Sequence, residues 1–334
     1  MTTLFLAIIS AVLIFYSSKA TGRFVEPIKE LSAGVKEIAR GNLDKKLDIH
    51  TGDEIEHLAD SFNSMTEKLK NHIQHIENAT AERERIKTEL NVAKDIQVSM
   101  LPKLPAFTER KDFDIYATMR AAKEVGGDFY DFYLLDHRHL VITIADVSGK
   151  GVPAALFMVI AKTMLKDFTI YMRSPNDFAA VVASANRQLV ESNDMLMFVT
   201  LFFGMLDLNT GDFTYVNAGH SAPLIYEAAR KAYRYLPAGQ NFVLGGLPDT
   251  TFEQESIKLK PHDIIFLYTD GIIEAMDDIH EQYSSERLNA TLNDLGGEMP
   301  LPDLLDAVQK SVDDFEGKEN QTDDITMLAL RFNG

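Results

Sequence analysis

Apolar runs that stop or start on an aspartate recur four times in the C-terminal part of this chain, and no other feature limits its fold so strongly. "TIAD" closes a run at Asp146 before the bend "VSGKG", and "IIFLY" passes into Thr269-Asp270-Gly271. "ITMLALRF" is entered through Thr322-Asp323-Asp324, while "EVGG" leads through Asp128 into "FYDFYLL". An ionised carboxylate cannot be buried without a partner, so such residues belong at sheet edges. The runs "FYDFYLL" and "LVITIAD" flank the polar turn "DHRH" and read as an antiparallel hairpin. Pairing Leu135 with Leu140 sets Phe129 against Asp146 and Asp128 against Val147, which brings both acids to the hairpin's open end. If the last two runs are antiparallel neighbours in one sheet, Asp270 and Asp323 share an edge by the same logic.

Carboxylates gathered in this way repel one another unless protonated or neutralised, and a pair of divalent cations is the simplest neutraliser. The chain has no cysteine, so any ligands are oxygen or imidazole, and an all-oxygen set selects magnesium, manganese or calcium over zinc. Asp146 would be the ligand shared by two metals. The helix opening near Pro153 would direct its positive end at a bound anion, and an anion beside two hard cations suggests a phosphate ester. A single strand-end aspartate is more often a turn former or helix cap, but four of them beside glycine or threonine favour the metal reading. The bend Gly149-Lys150-Gly151 lacks the earlier glycine and following hydroxyl of a P-loop. His220 in "NAGHSAP" could protonate a leaving oxygen, although a packed, supporting role is favoured.

The first 18 residues carry no charge, and Lys19, Arg23 and Lys29 follow. This reads as a single membrane span with its C-terminal side in the cytoplasm. The alternatives are a signal peptide, which would want basic residues ahead of the apolar run, or the last span of a longer receptor. Acidic residues outnumber basic ones 50 to 33, a net charge of -17 that argues against a nucleic-acid binder.

Two amphipathic segments follow the apolar run. Ile28, Leu31, Val35 and Ile38 form one seam; Ile55, Leu58, Phe62, Met65 and Leu69 form the other. Gly41 and Asn42 end the first helix, and Thr51, Gly52 and Asp53 start the second. With Pro27, Gly-Asn-Leu and Asp53-Glu54-Ile55 in place, residues 20–72 resemble a HAMP domain, the signal-relay module beside the membrane in bacterial receptors. The family usually carries glycine where Glu56 stands here. The helix signal continues to Met100, but "NATAERERIKTEL" interrupts the apolar seam, so residues 73–105 read as a coiled-coil linker ended by Leu101-Pro102 and Leu104-Pro105.

Taken in order, "EVGGDFYD", "ADVSGKGVPAALFM", "FVTLFFGMLD", "YVNAGHSAPLIY", "LYTDGIIEAMD" and "TDDITMLALRF" resemble the metal-dependent PPM-type protein phosphatases. The likeness is to the bacterial branch typified by sporulation stage II protein E and the sigma-factor regulator phosphatases, and covers residues 106–334. It implies an α+β fold, an α-β-β-α sandwich of two antiparallel sheets, preceded here by residues 1–19 as transmembrane helix, the HAMP hairpin and the linker. It also implies two divalent cations, manganese or magnesium, held by Asp128, Asp146, Asp270, Asp323 and the Val147 carbonyl. Gly127, Gly271 and Asp324 would support these ligands from behind. The phosphate-clamping arginine of eukaryotic relatives has no assignable counterpart; Arg120 and Lys150 are candidates.

These readings combine into a membrane-anchored, HAMP-coupled phosphatase, homodimeric through HAMP and linker, in the bacterial cytoplasmic membrane with its catalytic domain in the cytoplasm. The expected substrate is a phosphoserine or phosphothreonine protein, by resemblance an anti-sigma-factor antagonist, attacked by water without a phosphoenzyme. The alternatives are an inert phosphoprotein-binding scaffold and, further behind, a two-metal nucleotide cyclase.

Overall fold

The computed structural model describes residues 2–105, 107–172, 177–237, 239, 241–317 and 321–334. The chain forms two compact units, Met1–Thr88 and Glu89–Gly334.

The first unit opens with helix α1 (Thr2–Ala20), which continues through a π-helical segment, Thr21–Val25, into α2 (Glu26–Ala39). The N-terminal segment is long and apolar enough to cross a membrane, and among the described residues none of its apolar window is buried within the protein. Helix α3 (Glu54–Met100) starts in this unit. Its start is capped twice. Asp53 accepts the Ile55 N–H at 3.0 Å, and Glu56 accepts the Gly52 N–H at 2.7 Å. Glu56, the residue that departs from the HAMP pattern, thus satisfies a backbone donor at the helix entrance. Between α2 and α3 the connector threads Leu47 and Ile49 into a small core with Leu31, Val35, Ile38, Ile55, Ala59 and Phe62. Gly34 faces Leu47 so closely that a Cβ there would overlap its side chain. Asn63 then fixes the connector by accepting from the Leu47 N–H and donating to the Leu47 carbonyl, both at 2.8 Å. The polar stretch around Glu82–Lys87 does not break α3, which remains one continuous helix to Met100.

The second unit is a sandwich. One sheet has the order β1-β10-β9-β6-β7, built from β1 (Phe113–Arg120), β6 (Leu224–Glu227), β7 (Ala232–Tyr235), β9 (Ile264–Tyr268) and β10 (Ile325–Phe332). The other has the order β2-β3-β4-β5-β8, from β2 (Phe129–Leu134), β3 (His139–Val147), β4 (Val199–Asp207), β5 (Asp212–Ala218) and β8 (Glu255–Lys258). All pairings between these strands are antiparallel. Helices α4 (Val152–Ile170) and α5 (Phe178–Glu191) cover the second sheet; α6 (Ser284–Leu295) and α7 (Leu301–Glu316) cover the first.

Strand β10 shows why its sequence is apolar throughout. Leu328, Leu330 and Phe332 join the core between the sheets, while Ile325, Met327 and Ala329 pack under α6 and α7. A strand covered on both faces has no polar face to alternate with. On the other sheet, Phe178 of α5 stacks on Phe203 of β4 with ring centroids 4.4 Å apart, which fixes that helix to the strand.

The β2–β3 hairpin departs from the expected register by one residue. Leu134, not Leu135, opposes Leu140, and Phe129 opposes Ala145. The cause lies in the turn, where Asp136 accepts the backbone N–H groups of Arg138 and His139 and Leu135 N–H donates to the His139 carbonyl. The Leu135–His139 bond continues the ladder, so the turn holds three residues, Asp136 to Arg138, and His139 belongs to β3.

Replacing Asn63 with Ala should remove both connector hydrogen bonds and destabilise the first unit by about 1–3 kcal/mol. Thermal unfolding of the full chain in detergent would show this as an earlier loss of α-helical signal; an unchanged profile would mean that the connector is held by Leu47 packing alone.

Candidate active site

Four strand ends meet at one edge of the sandwich. Asp128 immediately precedes β2, Asp146 is the penultimate residue of β3, Thr269 and Asp270 follow β9, and Asp323 and Asp324 precede β10. In the observed hairpin register Asp128 extrapolates to a position across from Asp146. Strands β9 and β10 pair antiparallel, with Met327 opposite Tyr268, so Asp270 and the Asp323-Asp324 pair lie at a common edge.

The electrostatics follow from this convergence. Asp128 is 1% exposed. Burial, and then the charge of Asp146, drive its carboxyl well above the ordinary aspartate value. Burial and the neighbouring Asp270 push Asp146 up to about 7, and Asp270 is itself raised by burial, Glu274 and Asp323. Each carboxylate is therefore costly as an anion without a positive neighbour. Among the described residues, no three His, Asp or Glu side chains converge as a ready-made metal cage. The donor set is nonetheless all oxygen, buried and mutually repelling, which suits hard divalent cations.

Asp324 is occupied differently. Its carboxylate accepts the N–H groups of Ala122 and Gly127, both at 2.8 Å, and lies 3.5 Å from the backbone nitrogen of Asp128. It thereby ties the loop ahead of β2, in one sheet, to the start of β10 in the other. The surrounding glycines leave room for it. A Cβ on Gly126 would overlap the Asp324 carboxylate, and one on Gly271 would overlap the Asp324 carbonyl. Gly127 lies against Val147, whose carbonyl would be 2.9 Å from an added Cβ.

Two contributors escaped the sequence reading of the site. The Thr269 hydroxyl donates to Asp128 at 2.7 Å and accepts the Thr326 N–H at 2.9 Å, a second tie between the sheets. Its signal was its place beside Asp270 at the end of an apolar run. Gln97, near the end of α3, donates to the Gly126 carbonyl at 2.6 Å and accepts the Gly126 N–H at 3.2 Å. The only hint in sequence was a polar residue next to the resumed apolar seam, and Gln97 is buried.

The three candidate catalytic side chains separate. Lys150 reaches the site, with Nζ 2.8 Å from Asp323 and 2.7 Å from the Thr322 carbonyl. Arg120 points to α7, pairing with Asp313 at 2.7 Å and Glu316 at 3.5 Å. His220 is buried, and burial lowers its imidazole to about 4, so it is neutral at pH 7. Its Nδ1 shares a 2.9 Å hydrogen bond with the hydroxyl of Thr200, the cross-strand partner of Asp146.

Comparisons with known proteins agree with this architecture. Residues 136–333 match the family model of stage II sporulation protein E (SpoIIE), and residues 20–71 match that of the HAMP domain. Protein IcfG of Synechocystis is 32% identical, with 92% of this chain and 51% of that protein aligned, so the chain spans about half that relative's length. Phosphoserine phosphatase RsbU of Bacillus subtilis is 29% identical over 74% of this chain and 71% of its own. Among solved structures, the SiaA-PP2C domain of Pseudomonas aeruginosa shares the fold, with a TM-score of 0.66 at 22% identity over 76% of this chain and 99% of that domain.

Two expectations follow. Between pH 6.5 and about 4 an unfolded chain takes up the His220 proton before the folded one does. The stability due to the neutral imidazole is therefore complete above about 6.5 and is lost as pH falls toward 4. Urea unfolding of wild type against His220→Asn should reveal this as a difference growing to roughly 3 kcal/mol at the acid end; parallel pH dependence would show that the ring is not held neutral. Separately, Gln97→Ala should speed amide exchange at Gly126 roughly tenfold by removing its acceptor. Unchanged exchange there would mean that Asp324 alone holds the loop.

Proposed function

The chain belongs to the stage II sporulation protein E family, and from that premise we propose that it is a metal-dependent protein phosphatase hydrolysing phosphoserine or phosphothreonine. The observation that carries this reading is the convergence of Asp128, Asp146, Asp270 and Asp323 at one sandwich edge, with burial and mutual repulsion raising three of them. These four side chains, with the Val147 carbonyl, would hold two divalent cations, manganese or magnesium. When bound, such ions neutralise the carboxylates, polarise a phosphoryl group and acidify water.

The protein's own part is positioning. Thr269 orients Asp128, and Asp324 fixes the loop that carries it. Gly127 and Gly271 leave room for those contacts. Neutral His220 supports β4 beside Asp146 through Thr200 and, away from solvent, is poorly placed to exchange protons with a leaving group.

The substrate in this reading is a phosphorylated regulatory protein, specifically an anti-sigma-factor antagonist, which the likeness to the phosphoserine phosphatase RsbU supports. The apolar α1 followed by Lys19 and Arg23 supports a single span anchoring the protein in the bacterial cytoplasmic membrane with residues 106–334 in the cytoplasm. The HAMP match supports a homodimer whose helices govern the catalytic unit. Helix α3 runs from the HAMP region to Met100, and its Gln97 grips Gly126, two residues from Asp128.

Asp146→Asn keeps the side-chain volume but removes the charge. It should abolish manganese-dependent phosphate release from a phosphoserine protein, by at least 100-fold, with an unchanged melting profile. Full activity in that folded variant, or in wild type with excess chelator, would overturn the metal-dependent reading.

A further inference from the structure

The site needs a group that meets the phosphoryl oxygens of its substrate, and among the described residues no arginine is ion-paired with its aspartates. Arg120 is committed to Asp313 and Glu316 of α7. Among the described residues, Lys150 is the one cation ion-paired with any of the five aspartates at the convergent edge. Its charge also acts on Asp270, lowering that group against the rise caused by burial.

Three features equip it for an oxyanion. An ammonium group has three donors. Two are used, on the Asp323 carboxylate at 2.8 Å and the Thr322 carbonyl at 2.7 Å, and the side chain is 39% exposed, so one donor remains for a ligand from solvent. The turn that presents it is shaped by Gly149 at φ 88° and Gly151 at φ 79°. A Cβ at either glycine would meet nothing within 4 Å, so these glycines answer to backbone conformation and not to packing. Finally, Lys150 sets a positive charge beside Asp323 at an otherwise acidic edge, which favours the approach of a phosphate dianion to a chain of net charge -17.

We propose that Lys150 binds the phosphoryl oxygens of the substrate while remaining anchored to Asp323. This rests on the phosphatase reading above but is tested without turnover. Inorganic phosphate is titrated against the full-length chain in detergent with saturating manganese, followed by the paramagnetic broadening of the phosphorus resonance. Manganese affinity is measured in parallel by electron paramagnetic resonance.

Lys150→Gln should weaken phosphate binding roughly tenfold while manganese affinity changes less than threefold, and Lys150→Arg should recover most of the loss. Phosphate affinity within twofold of wild type in Lys150→Gln would overturn the assignment. So would a parallel loss of manganese affinity not rescued by arginine, because Lys150 would then be only a strut for Asp323. Wild-type protein that binds manganese but not phosphate would overturn it as well. Lysine-dependent phosphate binding without hydrolysis of any phosphoprotein would instead sustain Lys150 and sink the phosphatase reading.

Discussion

A carboxylate that accepts backbone N–H groups across a sheet boundary holds this sandwich edge in shape. Asp324 stands at the mouth of β10, and the amides it receives, from Ala122 and Gly127, belong to the approach to β2 in the opposite sheet. Charge-assisted bonds of this kind are stronger and shorter than neutral ones. They also direct the chain, because the loop delivering Asp128 can follow only one path if both amides are to be satisfied. Thr269 adds a second tie, receiving the Thr326 N–H within one sheet and donating to Asp128 at the start of the other. Without these ties, four mutually repelling carboxylates would have every reason to splay apart.

Much of this was legible because strand ends are easy to read. Alternation and apolar runs located β2, β3, β9 and β10, and antiparallel pairing then forced their terminal aspartates to common edges. The precise facing of residues was less accessible. A turn in which Asp136 captures two backbone amides closes over three residues and starts β3 at His139, and periodicity alone does not report that capture. The correction shifts Asp128 from facing Val147 to facing Asp146, whose charge adds to burial in raising the Asp128 carboxyl. Thr269 and Gln97 were hidden for another reason: each acts through one hydrogen bond or two made across long stretches of chain, and neither belongs to a periodic pattern.

The N-terminal unit illustrates how a departure from a family pattern can be locally consistent. Glu56 occupies a position where glycine is usual, yet its carboxylate receives the Gly52 N–H at the entrance of α3. The connector needs similar local exactness. Leu47 fills the space left by Gly34, and Asn63 satisfies both of its backbone groups. Helix α2, at 14 residues, is too short to be stable alone, so the buried connector is part of what holds it against α3.

The same reasoning gives α3 more than a spacer's part. A spacer could end in solvent, yet this helix carries its polar interruption without breaking and buries Gln97 against Gly126. Gly126 is in turn one residue from the amide that Asp324 captures and two from Asp128. A displacement at the end of α3 must therefore either break two hydrogen bonds to Gly126 or move the loop that positions Asp128.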